Sequence, residues 1–471
     1  MKGCALAILI STGVLTNCTV GPDYHRPEVQ VPAAFHGADE SFVRQEASLA
    51  DLKWWDVFLD ADLQSFIETA LKQNYDLQDA VARVQMARAN LGITRSDQFP
   101  QFSVGGDVNA SRLSRNGSFP LPASLVPNQD RTWGEVQLSL SPYELDLWGR
   151  LARATEAARA NLLAAEENRK VVITTLISEV ATQYFTLREL DAQLEIARQA
   201  LTSRQESLDL TLSRSKYGIA TDLDVKQAEQ LVDTANVTIA GLQQRVEQTE
   251  NQLTLLLGMN PTGIWRRGSL DESCLPPLLP VGLPSALLER RPDIRVAEQN
   301  LVAANADIGV AKAAYFPQIG LSSSLGGQST ALHNLFSGPN STWSVIPTVT
   351  LPIFTAGRTE ATVKMAEAQR DSALAQYQKA VKIAFTDVSD ALIAHERLQQ
   401  SREKQQALVQ VLEERKRLAY MRYQGGVDTQ LNALDADRDL LQAQLDLRQI
   451  KLNEMLSVVQ LYKALGGGWD A

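Results

Sequence analysis

RSKYGIATDLDVKQAE, residues 214–229, answers RYQGGVDTQLNALDAD, residues 422–437, across a spacing of 208. Each stretch ends one helical pattern, turns at glycine, and opens another at a threonine. The same offset pairs Gly149-Arg150 with Gly357-Arg358 and Leu257-Gly258 with Leu465-Gly466, so about 110 residues repeat without a gap. Further upstream ANLGITRSDQFPQ from Ala89 answers ADIGVAKAAYFPQ from Ala306, and Trp133 answers Trp343. Self-similarity at a fixed offset marks a duplicated structural unit. The chain therefore divides into a first repeat, 62–258, and a second, 284–466. A linker at 259–283 joins them, and Met259–Pro284 carries five prolines in 26 residues. Residues 467–471 form a short tail.

From Gly149 to Arg214 there is no proline, and glycine occurs only at the first position. Ile173, Leu176, Val180, Tyr184, Leu187, Leu190, Leu194, Ala197 and Leu201 recur in steps of three and four, a coiled-coil-like seam. These 66 residues predict a helix of about 99 Å at 1.5 Å per residue. Gly357 to Arg422 predicts a second of equal length. Each repeat reads as helix, strand, strand, very long helix, tight turn, helix. A compact domain has no room for such a helix, which must stand as a rod or a tube wall.

Three stretches show the strand pattern. Val136, Leu138 and Leu140 alternate with Gln137 and Ser139; Ile319, Leu321 and Leu325 alternate with Gly320, Ser322 and Ser324. Val345, Val349 and Leu351 alternate with Ser344, Thr348 and Thr350. Such period-two runs suit a half-buried soluble sheet or a membrane barrel wall. Phe99, Trp133, Tyr143, Trp148, Phe316, Trp343 and Phe354 lie near the strand ends, where an interfacial girdle is expected. SRNGSFPLPASLVPNQD and STALHNLFSGPNS are polar enough for external loops. Four strands per chain cannot close a barrel, and an open sheet in lipid leaves unpaired edges. The membrane reading thus requires several chains.

No run of eighteen apolar residues occurs, which excludes a helical span. A formal net charge of −10 argues against a nucleic-acid partner. The chain opens MKGCALAILISTGVLTNC, a short apolar run after Lys2 that reads as a secretory signal over 1–17. Leu15, three places before Cys18, resembles the lipobox of bacterial lipoproteins, with cleavage before Cys18 and acyl lipids on it. Asn17 departs from the small residue usual there; the alternative is an ordinary signal peptide cut nearby. Residues 18–61 then form a lipidated, proline-rich N-terminal segment. Cys4 leaves with the signal and Cys274 stands alone, so no internal disulfide supports the fold.

With CTVGPDYHRP, KWWDVFLDADLQSFIETAL, YELDLWGR, LPSALLERRPDIRVAEQNL and LYKALGGGWD in that order, the chain resembles the outer-membrane factor family of TolC- and OprM-like efflux channels. The lipidated, OprM-like branch is the nearer match, and the resemblance covers nearly the whole length. It implies a membrane β-barrel joined to a long α-helical coiled-coil barrel. Each protomer would give four strands to a trimeric twelve-stranded barrel, with an internal two-fold structural repeat. It also implies a homotrimer in the bacterial outer membrane, its helices in the periplasm. Its partners would be a periplasmic membrane-fusion adaptor, an inner-membrane pump of RND type, and outer-membrane lipid.

An open pipe would leak, so the periplasmic end needs a gate. The resemblance puts one leucine and one aspartate at the constriction, Leu431 and Asp435 here. Three-fold symmetry would make each a ring of three, and a carboxylate ring responds to pH and divalent ions. Asn432 stands where some relatives carry a second aspartate. Tyr423 and Asp224 match positions that help hold neighbouring coiled coils shut. The small residues Gly218, Ala220, Gly425 and Gly426 would let an adaptor approach the tips. Part of the acidity has a plainer role, since Asp and Thr at a helix start cap it; Asp222, Asp428 and Thr429 fit that description.

No catalytic constellation and no metal site emerge. The four histidines are scattered without ligand spacing. GGG at 466–468 follows a helix rather than a strand, and RRPDIR at 290–295 reads as a structural corner. The chain is thus expected to be no enzyme, to need no cofactor beyond the acyl lipids, and to conduct small molecules passively to the exterior. The alternative is a lipid-anchored periplasmic coiled-coil scaffold, which leaves the alternating strands unexplained. Cargo, whether drug, aromatic compound or metal ion, is not written in the chain.

Overall fold

The structure, a computed structural model, describes residues 19–37, 48–114, 129–266, 280 and 282–469. Cys18, the 1–17 signal and most of the SRNGSFPLPASLVPNQD segment lie outside the described residues. The first repeat holds α1 (Trp54–Val57), α2 (Ala61–Gln73), α3 (Tyr75–Ser96), β1 (Phe102–Arg112), β2 (Asp130–Glu144), α4 (Arg150–Lys216) and α5 (Asp222–Leu256). The second holds α6 (Leu287–Arg290), α7 (Pro292–Ala313), β3 (Gln318–Ser329), β4 (Ser341–Thr350), α8 (Arg358–Gln424) and α9 (Gln430–Ala464). The duplication is kept to the residue: α4 and α8 have 67 residues each, and α5 and α9 have 35 each. Neither repeat is a body by itself. One compact unit gathers the described residues of 1–27, 85–164 and 298–376; the other gathers those of 28–84, 165–297 and 377–471.

The first unit carries one antiparallel sheet in the order β1-β2-β3-β4. Its register lines up Val104 with Leu138, Leu138 with Leu325, and Leu325 with Trp343. Successive side chains point to opposite faces. Val104, Val136, Leu138, Leu325, Trp343 and Val349 therefore share one face, and Ser103, Asp107, Glu135, Gln137, Ser324 and Ser344 the other. The hydroxyls of Ser324 and Ser344 meet at 2.8 Å across that polar face. A one-residue slip in any strand would invert this sorting, so the pattern fixes the register.

One expectation about this sheet needs correction. Trp133 does not join an apolar girdle: it pairs with Asn109, an odd number of steps from Val136, and so lies on the polar face. Trp148 and Phe316 stack on each other at 4.8 Å, and the Trp148 Nε1–H donates to the Pro317 carbonyl at 2.8 Å, so that pair braces the chain below the strands. Residues 330–340 join β3 to β4 where an external loop is expected. They form two 3-10 turns that fold back over the sheet.

Beneath the sheet, small residues let helices approach closely. Ala157 and Ala160 of α4 meet Ala303 and Ala306 of α7, and Ile308 and Ala311 of α7 meet Val363 and Ala366 of α8. The first described residues are pinned to this bundle. The Val20 N–H donates to the Trp148 carbonyl at 3.0 Å, and Asp23 accepts from the buried Arg153 at 2.6 Å. Arg26 pairs with Glu298 at 3.0 Å.

The second unit is built on the seam expected in α4. Ile173 through Ala197 of that series are buried, while Leu201 is partly covered and packs beside Leu208, Val225, Ala228 and Val232 of the α4–α5 hairpin. The Tyr184 hydroxyl donates to Asp60 at 2.8 Å, and Asp60 also caps α2 by accepting from Asp62 and Leu63. Burial, helped by the Asp60 carboxylate, raises the Tyr184 phenol above its ordinary value. RRPDIR is indeed a corner: Arg291 bonds Asp293 at 2.6 Å, Asp387 at 3.0 Å and the Ala464 carbonyl that ends α9 at 3.0 Å. No helix among the described residues is long and apolar enough to cross a membrane.

Candidate functional site

Two surfaces bear on function, the apolar sheet face and the helical tips of the second unit. At the first tip the Ile219 N–H donates to the Arg214 carbonyl at 2.9 Å around Gly218, whose φ is +75°. At the second the Val427 N–H donates to the Arg422 carbonyl at 3.1 Å around Gly426, whose φ is +72°. This is the glycine-closed helix end in both repeats, and the left-handed φ is why glycine stands there. Gly218, Gly425 and Gly426 are exposed and Ala220 is half-buried, with the exposed side chains of Tyr217, Ile219 and Val427 beside them.

The acids at the tips divide into different tasks. Thr221 caps α5, and Asp224 completes the capping box by accepting from the Thr221 N–H at 2.8 Å. Asp224 is thus engaged within its own turn. Thr429, expected to cap α9, makes no side-chain cap bond. Asp428, just before it, accepts from the Thr429 N–H at 2.8 Å and from Asn432 Nδ2 at 2.6 Å, with Arg422 at 3.0 Å, which braces the start of α9. Arg422 foremost, then Asn432 and the Thr429 N–H, hold the Asp428 carboxyl below the usual carboxylate range. Tyr423 ties the hairpins together: its ring lies 4.7 Å from the Arg214 guanidinium, and its hydroxyl donates to Gln430 at 3.4 Å.

Leu431 and Asp435 lie one turn apart on α9, so they share a face. Leu431 is exposed and Asp435 half-buried, while Ala433, Leu434, Ala436 and Asp437 are buried behind them. Asp435 is not a bare carboxylate, because Arg438 reaches it at 3.2 Å and Asp439 at 3.2 Å.

One feature escaped sequence reading. Asp437 is only 2% exposed, bonded to Arg204 Nε at 2.7 Å and Lys416 Nζ at 2.5 Å. Arg204, itself 3% exposed, also donates to the Leu231 carbonyl at 3.1 Å. One carboxylate thus joins α4, α5, α8 and α9 just behind the tips. Next to it Gln430 Nε2 donates to the buried Thr211 hydroxyl at 2.8 Å. The signal was there: Arg204 sits between Leu201 and Leu208, and Asp437 between Leu434 and Leu440, at seam positions where an apolar residue is expected.

A sheet with one apolar and one polar face, in a chain whose long helical hairpins are duplicated, is the pattern of a membrane channel protein. The family model "Outer membrane efflux protein" matches residues 66–259 and 283–467, and the chain belongs to that family. It is 37% identical over 467 residues to the toluene efflux pump outer membrane protein TtgC of Pseudomonas putida, covering 98% of this chain and 95% of that one. It is 36% identical over 472 residues to the outer membrane protein OprJ of Pseudomonas aeruginosa, covering 99% and 95%. The open state of the Neisseria gonorrhoeae MtrE outer membrane channel superposes with a TM-score of 0.85 at 32% identity, covering 96% of this chain and 99% of that one. The protein is the outer-membrane channel component of an efflux pump and not an enzyme.

Proposed function

We propose that three copies pool their sheets into a twelve-stranded barrel and their helices into a periplasmic tube, and that this trimer passively conducts small molecules outward. The observation that carries the reading is the sheet itself: four strands, one apolar face, and two edges, β1 and β4, each with one neighbour. In hydrocarbon such edges must be paired. Joining β4 of one protomer to β1 of the next pairs them all, and three protomers follow from the resemblance to TolC- and OprM-like channels. The energy comes from an inner-membrane pump of RND type, reached through a periplasmic adaptor that docks on the tips at Gly218, Ala220, Gly425 and Gly426. TtgC and its relatives are named as efflux pump outer membrane proteins, which supports a pump partner. Leu431 and Asp435, facing out of the protomer from α9, form the gate when three copies meet. Acyl lipids on Cys18 anchor the chain; residues 19–20, held at the Trp148 carbonyl where α4 begins, support an anchor close to the barrel.

The test is a pair of arginine substitutions one residue apart. Leu138→Arg puts a charge on the apolar face and costs about 2–4 kcal/mol at the bilayer midplane. It is expected to abolish heat-resistant trimers in isolated outer membranes, while Ser139→Arg on the polar face preserves them. Equal tolerance of both would refute the barrel. Native mass spectrometry of the gently extracted protein reads the rest: a trimer whose subunits start at Cys18 with acyl mass is expected.

A further inference from the structure

The two hairpins of the sheet differ in charge. The first carries Asp107, Arg112, Asp130, Arg131, Glu135 and Glu144, whereas from Ala313 to Gly357 there is no Asp, Glu, Lys or Arg. That uncharged stretch includes β3, β4 and the turns between them. Those turns are closed on themselves. The Ser337 N–H and Oγ–H both donate to the Asn334 carbonyl, at 3.0 and 2.7 Å. Asn340 Nδ2 donates to the same carbonyl at 2.8 Å, and Ser341 Oγ–H donates to the Gly338 carbonyl at 2.9 Å.

The turns also lie on a particular side. A Cβ built on Gly134 would come within 2.5 Å of Leu332 Cδ2, and one on Gly327 within 2.1 Å of the Leu335 carbonyl oxygen. By register both glycines belong to the face of Leu138 and Leu325. Leu335 is 6% exposed there, whereas Leu332 is 62% and Phe336 82% exposed. A polar, water-seeking loop would not lay leucines onto the sheet's greasy side and leave a phenylalanine so exposed.

We propose that the Leu332–Phe336 turn is a lipid-inserted anchor, with the Leu332 and Phe336 side chains among the acyl chains of the outer leaflet. The proposal rests on the reading that the apolar sheet face meets lipid. Two properties make insertion physically admissible: the turn carries no charged residue apart from His333 when protonated, and it meets several of its backbone hydrogen-bonding needs internally. Gly134 and Gly327 supply the room that lets the turn lie flat against the strands. The opposite hairpin, with Arg112, Asp130 and Arg131 at its ends, faces water. The channel would then be fixed in the leaflet on one side of each protomer.

The experiment is spin labelling of Phe336→Cys in the full-length protein, with Cys274→Ser as background and the same chain without an added cysteine as blank. The trimer is reconstituted in phosphatidylethanolamine–phosphatidylglycerol vesicles. Power saturation then compares accessibility to oxygen, which concentrates in lipid, with that to a water-soluble nickel chelate. Val349→Cys is the lipid reference, Arg131→Cys the water reference, and Leu332→Cys repeats the measurement if Phe336→Cys fails to assemble. The expected result is a label at 336 several-fold more accessible to oxygen than to nickel, as at 349. Preference for nickel at 336 means a water-exposed loop and overturns the proposal. Low accessibility to both means a protein contact between protomers and also overturns it. A nickel-accessible label at Val349 itself would instead sink the membrane reading beneath it.

Discussion

Removing the Asp437 carboxylate should loosen the tip end of the helices without touching Leu431 or Asp435. Asp437 is matched by a buried guanidinium at 2.7 Å and an ammonium at 2.5 Å. Breaking a buried ion pair from one side costs about 3–5 kcal/mol, mostly because the remaining charge is left without a partner. Lys416 is partly exposed and can turn to water, so its share is under about 1 kcal/mol. Arg204 has no such exit, and Asp437→Ala is therefore expected to cost about 3 kcal/mol locally. At 1.4 kcal/mol per tenfold, that raises the open population near the tips about a hundredfold. Amide hydrogen exchange across residues 411–440 reads this directly, since local opening sets its rate. Entry of a large antibiotic into intact cells reads the functional consequence. A sharper check is Arg204→Met combined with Asp437→Leu, which removes both charges and leaves the site filled by apolar side chains. That pair should return exchange to within about tenfold of the parent, as apolar replacement of a buried pair is often neutral. If the double variant exchanges as fast as Asp437→Ala, the effect is lost shape rather than stranded charge, and the argument fails.

Gly149 and its repeat counterpart Gly357 both have left-handed φ, +76° and +84°, but only Gly149 is crowded, its Cβ position lying 2.7 Å from Thr19 Cγ2. Alanine costs both about 1–2 kcal/mol of backbone strain, and Gly149→Ala a further 1–3 kcal/mol or so for overpacking; the thermal midpoint should therefore fall further for Gly149→Ala, and equal falls would contradict the close approach. His395 is half-buried between α8 and α9; Gln399 Nε2 can only donate, so the ring Nε2 accepts from it at 3.0 Å and Nδ1–H is left to donate to Ser457 Oγ at 3.0 Å. Burial first, and Arg402 second, lower its pKa below 6.5. The unfolded imidazole then binds a proton before the folded one does, so this contribution is complete above about pH 6.5 and declines as pH falls below it. Exchange around residues 395 and 457, corrected for intrinsic rate, should rise between about pH 7.5 and 5.5 in the parent, and should not rise in His395→Gln.

The long helices were legible because nothing in them interrupts the pattern: no proline, and a seam that repeats every three or four residues. Their turns were legible twice over, since duplication printed the same glycine-threonine spacing in both halves. The strands were harder. β1 alternates Phe102, Val104 and Val108 with Ser103, Asp107 and Asn109, but Gly105 and Gly106 in its middle dilute the signal. For Trp133, nearness to a strand end does not fix which face the residue occupies; parity does. The Asp437 brace was hidden for a different reason. A charge within an apolar seam reads as a flaw until its partner, 233 residues away, is brought beside it. Arg438 beside Asp435 is legible in the sequence, since a spacing of three on a helix makes the two neighbours.

The equality of the two 67-residue helices has a consequence for how such a chain can change over generations. A residue deleted from α4 alone would withdraw everything after it by about 1.5 Å and rotate it by about 100°. Arg204 would then turn away from Asp437, and Thr211 from Gln430. A full heptad lost from α4 would nearly restore the rotation but leave the pair about 10 Å out of step. Only a matched deletion in α8, with corresponding trims in α5 and α9, keeps them level. The protein behaves as a gauge cut in duplicate: its reach can be reset only by editing distant stretches of the gene together, so length should be inherited far more stubbornly than sequence.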